Sequence, residues 1–427
     1  MKIRSMMQAM GLAMMPGLML SATPQAQAQA QDGLQSARAA IAADYDRIVK
    51  ELVTITETPA PPFAEKVRGE WIAAQFQALG LKRVETDGVG NVMGLRRGKA
   101  TDGAPLLVVS AHLDTVFPEG TNVKVQRSGT TLSAPGVGDD SLGLAAMLAW
   151  IRAMDAAGIV TRNDILFVAT VGEEGEGDLR GVRFLFTEGS YRNRIGAFIS
   201  VDGPEPSHLV TGAVGSKRYR IAFTGPGGHS YGAFGIVNPM AAMADTVKRL
   251  YEIKVPGDPR TSYSASVVSG GTSVNTIPDR IELLVDMRSP DPAELDRLEQ
   301  RFLAIVDQAV VAENFARSTS LGEVGAIKQK IGDRPAGQTD PEHPMVLAAQ
   351  RILTAGGVDA RPSKSSTDSN IAMSLGVPAM TIGTGNGGGR AHSSEEYVNV
   401  EKGGFTKGLG LGLEIVLASA NMDWSAR

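Results

Sequence analysis

A histidine and an aspartate two residues apart follow one short apolar run of this 427-residue sequence. The run, residues 106–109, is typical of a strand buried on both faces, and His112 and Asp114 come directly after it. In extended backbone, side chains two apart leave on one face, where a carboxylate can orient an imidazole or share its metal. Such a pair is more often a solvated loop corner, so its chemistry depends on partners elsewhere in the chain.

Three further apolar runs also end in potential metal ligands. They are residues 164–170 before Glu173 and Glu174, residues 196–201 before Asp202, and residues 378–383 before His392. Parallel strands of open α/β sheets gather their ligands in the crevice outside the carboxyl ends of the strands. The recurrence therefore predicts one shared site.

An acidic pair, Asp139 and Asp140, lies in the segment PGVGDDSLG, just before an apolar helical stretch. The chain contains no cysteine, which excludes disulfides and thiolate ligands. Imidazoles and carboxylates without thiolates form a nitrogen and oxygen site that suits zinc, cobalt or manganese.

Length and charge limit the function classes. A chain of 427 residues with 43% hydrophobic content exceeds one ordinary domain, so we expect two globular units. The net charge of −4 argues against a nucleic-acid partner.

The first 30 residues have the composition of a secretory signal peptide. A basic start precedes an apolar core, residues 6–20, and a small-residue tract that offers cleavage between about Ala26 and Ala30. The apolar core is too short for a membrane anchor, and it is interrupted by Gln8, Gly11, Pro16 and Gly17. We expect a periplasmic or secreted protein with no stable membrane insertion after cleavage.

Alternating strands and helices predict an α/β catalytic domain with a mixed, mostly parallel sheet and flanking helices, built from residues 31–212 and 331–427. Between these parts, residues 213–330 have the order strand, helix, strand, strand, helix, strand, which predicts a ferredoxin-like α+β module. Because candidate ligands lie on both sides of it, the module is an insertion into one domain. Near the N-terminus, apolar residues spaced from Ile41 to Ile55 predict one amphipathic helix.

These segments together resemble the dinuclear zinc hydrolases that include peptidase T, carboxypeptidase G and the aminoacylases. The resemblance covers nearly all of the chain after the predicted signal peptide. It rests on the segments SAHLDTV, GVGDDSLG, VGEEGEGDLRG, SVDG and GRAHSSEEYV. It implies a zinc exopeptidase-like fold in which residues 213–330 form the family's lid and dimerisation domain.

The resemblance also implies two divalent metal ions, with zinc favoured and cobalt or manganese as alternatives. The implied ligands are Asp139 as the bridge, His112 and Asp202 at one metal, and Glu174 and His392 at the other.

Other residues of these motifs have implied roles outside coordination. Glu173 is the implied general base, which takes a proton from the attacking water and delivers it to the leaving amine. Asp114 would orient His112. Asp140 is a candidate helix cap that we rank below Asp139 as a ligand. At Ser141 the chain departs from many relatives, which carry a lysine there that is not a ligand.

The inserted module contributes further implied site residues. The segment GPGGHSYGAFGIVNP, centred on His229, resembles a lid motif whose histidine reaches a partner subunit's active site and stabilises the oxyanion, which implies a homodimer through the lid. NTIPDRIELLVDMR implies substrate contacts from Asn275 and Arg288. Asp368 in TDSN and Gly385 in GTGNGGG are candidates to line the substrate cleft.

The remaining histidines, His208 and His343, lie beside prolines, and we assign them to surface turns. The glycine-rich run, residues 383–389, has no Lys or Ser/Thr at phosphate-loop spacing, so we do not expect a nucleotide site.

Two classes of function fit these residues. The first is a metal-dependent hydrolase of amide bonds, preferably an exopeptidase of short peptides, with an N-acyl amino acid deacylase or a carboxypeptidase as the alternative. The second is a catalytically silent peptide-binding protein on the same fold. Glu173 favours the enzyme, because a binding protein has no need of an uncoordinated carboxylate beside a metal ligand.

Asp202 bears on which end of a substrate is recognised. In the resembled family, carboxypeptidases and aminoacylases tend to carry Glu at this position, whereas aminopeptidases such as peptidase T tend to carry Asp. The nearby acids Glu205 and Asp368 would offer a site for an ammonium group, although Arg288 suits a carboxylate. We therefore predict cleavage of short peptides with a free amino terminus.

Overall fold

The computed structural model describes residues 24–424. Most of the predicted signal peptide, residues 1–30, lies outside the described residues, and the predicted cleavage window falls within the first helix, α1 (Pro24–Ala43). Among the described helices, none has the length and apolar character that a membrane span requires.

The other helices are α2 (Tyr45–Thr56), α3 (Lys66–Ala78), α4 (Ser141–Ala156), α5 (Arg180–Thr187), α6 (Pro239–Leu250), α7 (Pro292–Ala316), α8 (Pro344–Ala355), α9 (Ser369–Ser374) and α10 (Lys402–Ala420). The first strands are β1 (Lys82–Thr86), β2 (Val92–Arg96), β3 (Leu106–His112), β4 (Gln126–Ser128), β5 (Thr131–Ser133), β6 (Ile165–Thr170), β7 (Ile195–Val201), β8 (Leu209–Ala213), β9 (Gly215–Thr224) and β10 (Gly228–His229). They are followed by β11 (Ser262–Gly270), β12 (Thr276–Ile277), β13 (Arg280–Ser289), β14 (Gly325–Arg334), β15 (Gly337–Gln338), β16 (Pro362–Ser365), β17 (Ala379–Ile382), β18 (Gly388–Gly389) and β19 (Tyr397–Asn399).

A nine-stranded sheet forms the centre of the catalytic domain, in the order β1-β2-β6-β3-β7-β17-β8-β15 with β16 beside β8. Its middle strands β6, β3, β7 and β17 are mutually parallel, whereas β1, β2 and β15 pair antiparallel. These middle strands are the four apolar runs that the sequence predicts. The expected mixed α/β fold is therefore confirmed.

Both faces of the central sheet are covered by apolar side chains. Along β3, Leu107 and Val109 belong to one core cluster, whereas Leu106 and Val108 belong to the cluster on the opposite face. Alternate residues of a strand point to opposite faces, so a continuous apolar run is what a doubly covered strand requires. On one face, Trp150 of α4 is fully buried and donates a hydrogen bond to the Leu409 carbonyl of α10 at 2.8 Å.

The inserted module is a four-stranded antiparallel sheet in the order β11-β13-β9-β14, with α6 and α7 packed against it. Buried and more exposed residues alternate along β13, where the buried ones include Ile281, Leu283 and Val285. The predicted order of strands and helices is confirmed, and the module's last strand continues to Arg334. The domain boundaries at residues 213 and 330, and the module's function as a lid, stay predictions.

The single amphipathic helix predicted from Ile41 to Ile55 is wrong, because the chain breaks at Asp44 between α1 and α2. Asp44 has φ −88° and ψ 6°, and its carboxylate accepts a hydrogen bond from Arg152 of α4 at 2.5 Å. Ile41 and Ile55 both remain buried in the same core. Two consecutive helices packed on the same core can thus show the apolar spacing of a single helix. The contact between Asp44 and Arg152 cannot be predicted from the spacing of neighbouring residues.

Candidate metal centre

The four parallel strands deliver the predicted ligands to one edge of the sheet. His112 ends β3, Glu173 and Glu174 follow β6, and Asp202 follows β7 directly. The neighbouring strands are in close register, with His112 opposite Thr170. Their carboxyl ends therefore bring these side chains together, as the strand pattern predicts.

Asp139 lies between the two predicted histidine ligands. Its Oδ1 is 2.9 Å from His112 Nε2, and its Oδ2 is 3.1 Å from His392 Nε2. His392 Nε2 is also 2.8 Å from Glu174 Oε1. Ligand atoms of His112, Asp139 and Glu174 lie within 4.8 Å of one another, a spacing suited to a metal ion. Because each oxygen of Asp139 faces a different imidazole, its carboxylate fits a bridge between two cations.

The charge around these ligands is that of a cation site. Burial and the neighbouring Asp139 carboxylate raise the pKa of Asp202 to about 7. Hydrogen bonds to Asp139 and Glu174 raise the pKa of His392 to about 10. Carboxylates this close together attract a proton or a metal cation, which reduces their mutual repulsion. A bound divalent ion would be the largest local charge.

The structure revises the role of Asp114. Its carboxylate accepts the backbone N–H groups of Glu173 at 3.0 Å and Glu174 at 2.8 Å. His112 Nδ1 instead contacts the backbone carbonyl of Asp114 at 2.9 Å, whereas the nearer carboxylate oxygen is 3.7 Å away. Asp114 therefore positions His112 through its main chain, and its carboxylate holds the segment that carries the predicted base and ligand.

Asp140 is a helix cap, as predicted. Its Oδ1 accepts the Gly143 N–H at 3.1 Å at the start of α4, and its Oδ2 accepts the His112 N–H at 3.0 Å. Both oxygens are thus used by backbone donors.

Glu173 is buried, and its closest charged partner is Arg334 at the end of β14. Arg334 Nη1 is 3.2 Å from Glu173 Oε1, and Arg334 also donates to the Glu173 carbonyl. Burial raises the pKa of Glu173 well above its usual range, Arg334 opposes the rise, and Glu174 adds to it. A carboxylate with a raised pKa is a better proton acceptor, as a general base requires. No pattern in the sequence points to Arg334, since only the tertiary fold brings this strand end to the site.

A second arginine near the ligands, Arg68, is likewise not indicated by any sequence pattern. Arg68 of α3 is fully buried and donates to the carbonyls of Leu113 at 2.7 Å and Thr58 at 2.9 Å. Burial lowers its pKa to about 10, whereas the carboxylates of Asp114 and Asp140 favour its charged form. The positive charge of Arg68 therefore offsets part of the negative charge of Asp114 and Asp140.

A cavity of about 560 Å³ opens over the ligands and is lined by Asp139, Glu173, Glu174, Asp202 and His392. Arg218, Arg288 and Arg334 also line this cavity. Arg288 and Arg218 share one carboxylate, with their Nε atoms 2.7 Å and 3.1 Å from the oxygens of Asp286. The structure therefore places Arg288 where the sequence predicts a substrate contact, and it adds Arg218.

Two predicted cleft residues lie elsewhere. Asp368 is 1% exposed, and its carboxylate accepts a hydrogen bond from the Thr170 hydroxyl at 2.6 Å. Gly385 is buried, and a Cβ at this position would lie 3.0 Å from Leu142 and 3.8 Å from Phe405. Both residues belong to the packing around the cavity, whereas Thr367 and Gly389 of the same two loops line it.

His229 and Asn275 lie next to each other on the module, away from this cavity. The strand β10, which contains His229, pairs with β12, and the Ser230 N–H donates to the Asn275 carbonyl at 2.9 Å. Both residues are exposed. Within one chain, neither reaches the predicted ligands, so their predicted roles require a second subunit.

The structure separates the two remaining histidines. His208 is half-buried and lines the cavity, and burial lowers its pKa. His208 does close a turn, since its N–H donates to the Glu205 carbonyl at 2.9 Å, but this turn forms part of the cavity wall. His343 caps α8 by accepting the Met345 N–H at 3.2 Å and stacks on Trp424, which agrees with a structural role.

Residues 108–411 match the model of peptidase family M20/M25/M40. The chain is also 24% identical over 379 residues to the uncharacterized protein YqjE of Bacillus subtilis, which covers 83% of this chain and 94% of YqjE. It is 28% identical over 261 residues to a succinyl-diaminopimelate desuccinylase of Methylobacillus flagellatus, which covers 56% of this chain and 67% of the desuccinylase.

Solved structures share the fold. A tripeptidase from Staphylococcus aureus superposes with a TM-score of 0.70 at 21% identity, covering 88% of this chain and 99% of the tripeptidase. The YXEP protein of Bacillus subtilis, a dinuclear metal-binding peptidase of the M20 family, superposes with a TM-score of 0.63 at 16% identity. The superposition covers 88% of this chain and 99% of the YXEP protein. At these identities the likeness establishes the architecture alone.

The adjacent glutamates should separate metal binding from proton transfer. We expect Glu173→Gln to keep metal content near that of the wild type while lowering turnover by about 10²-fold or more, because it removes only the proton acceptor. Glu174→Gln should instead lose metal. Metal analysis of the purified variants, together with their turnover, checks both expectations, and near-normal turnover of Glu173→Gln would contradict the assignment.

Proposed function

Since the chain belongs to peptidase family M20/M25/M40 and is a hydrolase that acts on peptide bonds, we propose that it is an exported two-metal exopeptidase of short peptides with a free amino terminus. One observation carries the proposal. The carboxylate of Asp139 faces His112 with one oxygen and His392 with the other, and the buried Glu173 lies beside the ligand Glu174.

The residues present fit two divalent cations. Imidazole and carboxylate donors suit zinc, with cobalt or manganese as alternatives, and the structurally similar YXEP protein is a dinuclear metal-binding peptidase. Asp139 would bridge the two ions, with the other ligands as the sequence analysis assigns them. When bound, such ions supply Lewis acidity and lower the pKa of water.

The chain's own groups would move the proton and hold the substrate. Glu173 would accept a proton from the attacking water and deliver it to the leaving amine, which its raised pKa favours. Arg334 holds that carboxylate from the side of the module. The cavity of about 560 Å³ lies in the size range of small-ligand sites and accommodates a short peptide.

The charges of the cavity support recognition of a free amino terminus. The carboxylate of Glu205 lines it together with the metal ligand Asp202, and the Gly388 N–H holds Glu205 Oε1 at 3.0 Å. A carboxylate that is not a metal ligand, such as that of Glu205, suits an ammonium group. Asp368, which the sequence places beside Glu205 at the ammonium site, is buried and does not line the cavity.

A deacylase or a carboxypeptidase is the second candidate. Arg218 and Arg288 line the cavity together, and planar guanidinium donors suit the carboxylate of a C-terminus or of an acyl group. The similarity to a succinyl-diaminopimelate desuccinylase favours this alternative. A catalytically silent peptide-binding protein fits less well, since the buried Glu173 would then have no use.

We further propose a homodimer formed through the module. Strand β11 is an edge of the module's sheet, and its Val267 and Val268 side chains are about half exposed. Tyr231 and Phe234, close to His229 in sequence, are each 89% exposed. An unpaired strand edge beside exposed apolar side chains favours pairing with a second chain.

Export is tested by fractionation of cells that make the full-length chain. Because the first 30 residues have the composition of a signal peptide, we expect the shortened mature protein in the periplasm or the medium. N-terminal sequencing of the mature protein should place cleavage between about Ala26 and Ala30. Recovery of the intact chain from the cytoplasm would contradict export.

Action of His229 across a dimer is tested with mixed subunits. Glu173→Gln and His229→Ala should each be nearly inactive alone. After subunit exchange, we expect about a quarter of wild-type activity, because half of the dimers carry one complete site of two. No recovery despite exchange shown by differently tagged subunits would contradict action in trans.

The end of the substrate that is recognised is tested with one tripeptide in three forms. We expect N-acetylation to abolish most cleavage, because it removes the ammonium group that Glu205 would hold, whereas C-amidation should be tolerated. Rates are compared as kcat/KM under identical metal loading. The reverse pattern would favour the carboxypeptidase or deacylase.

A further inference from the structure

One buried carboxylate, that of Glu396, holds the loop that carries Asp139. Its Oε2 accepts the Gly136 N–H at 2.9 Å, and its Oε1 accepts the N–H groups of Gly138 at 2.7 Å and Asp139 at 2.9 Å. Glu396 is only 2% exposed. A carboxylate can accept several N–H bonds at once, and charge-assisted bonds of this kind are the strong ones. The backbone of Asp139 is therefore fixed by a side chain distant in sequence.

Glu396 also anchors the segment that carries His392. The strand β19 pairs with β5, with Tyr397 opposite Ser133, and the Ala134 N–H donates to the Glu396 carbonyl at 3.0 Å. His392 lies four residues before Glu396 on the same segment. Main chain and side chain of one residue thus connect the two loops that bring His392 and Asp139 together.

The neighbouring glutamate has no such role. Glu395 is adjacent in the segment SSEEYV, but its side chain is 69% exposed and pairs with Arg390 at the surface. The sequence alone does not distinguish the two acids. Their environments in the structure do, because Glu395 lies in an exposed turn, whereas Glu396 directly precedes β19 and is buried.

We infer that Glu396 is a positioning residue of the metal centre, which sets the backbone of Asp139 so that its two carboxylate oxygens face two cations at once. The inference rests on the proposed two-metal function. Glutamine at this position would have one acceptor oxygen and an NH₂ group, which cannot accept from N–H donors. Glu396→Gln would therefore release one side of the loop while keeping nearly the same volume.

The test compares Glu396→Gln with the matched surface variant Glu395→Gln. Both proteins and the wild type are stripped with a chelator and titrated with Zn²⁺ or Co²⁺ alone. We expect Glu396→Gln to lose about 10- to 100-fold in metal affinity, the usual effect of removing a group that orients a ligand, while Glu395→Gln matches the wild type. At saturating Co²⁺, the visible absorption bands of Glu396→Gln should also differ from those of the wild type, because the ligand geometry has changed.

Circular dichroism and thermal unfolding of the stripped proteins show whether the variants fold. Glu396→Asp keeps both acceptor oxygens, but its side chain is one methylene too short to reach all three N–H groups, so its metal affinity should lie between those of Glu396→Gln and the wild type. If a folded Glu396→Gln has the metal affinity and cobalt spectrum of the wild type, the inference is overturned while the two-metal function stands. If Glu396→Gln does not fold, the same result for Glu396→Asp overturns the inference. A wild type that binds no divalent metal would overturn the two-metal function and the inference with it.

Discussion

Repulsion among buried carboxylates is the constraint on which the whole site depends. The parallel strands gather several acids at one edge of the sheet, where burial and neighbouring carboxylates raise the pKa of Asp140, Glu173 and Asp202. Asp114 and Asp140 direct their oxygens to backbone N–H groups, so their charge is used to hold the chain. Asp139 and Glu174 face imidazole nitrogens instead. This division of partners separates the carboxylates that support the backbone from those that remain available to cations.

The same constraint connects the inserted module to the catalytic domain. Arg334, at the last position of the module's sheet, pairs with the buried carboxylate of Glu173, and Arg218 donates to the Gly175 carbonyl at 2.6 Å. Both arginines also line the cavity. The module therefore supplies positive charge to the segment that carries the predicted base, and the positions of the module and of that base are physically coupled.

Much of the architecture follows from local patterns. Continuous apolar runs identify the doubly covered strands β3, β6 and β7, because only a strand buried on both faces lacks polar alternation. The order of elements likewise identifies the inserted module. The break at Asp44 has no signal in the local pattern, since the apolar spacing continues across it and its partner Arg152 lies on another helix.

By itself, the sequence determined which segments end in acids and histidines, and hence that several ligands meet at one sheet edge. Only the tertiary structure decided what each acid does. Asp202 directly follows β7 and Asp368 comes soon after β16, yet Asp368 is hydrogen-bonded to Thr170 in the interior, whereas Asp202 lines the cavity. The partners that select these roles, such as Arg334 for Glu173, come from distant parts of the chain, and a local pattern carries no information about which distant groups burial will bring together.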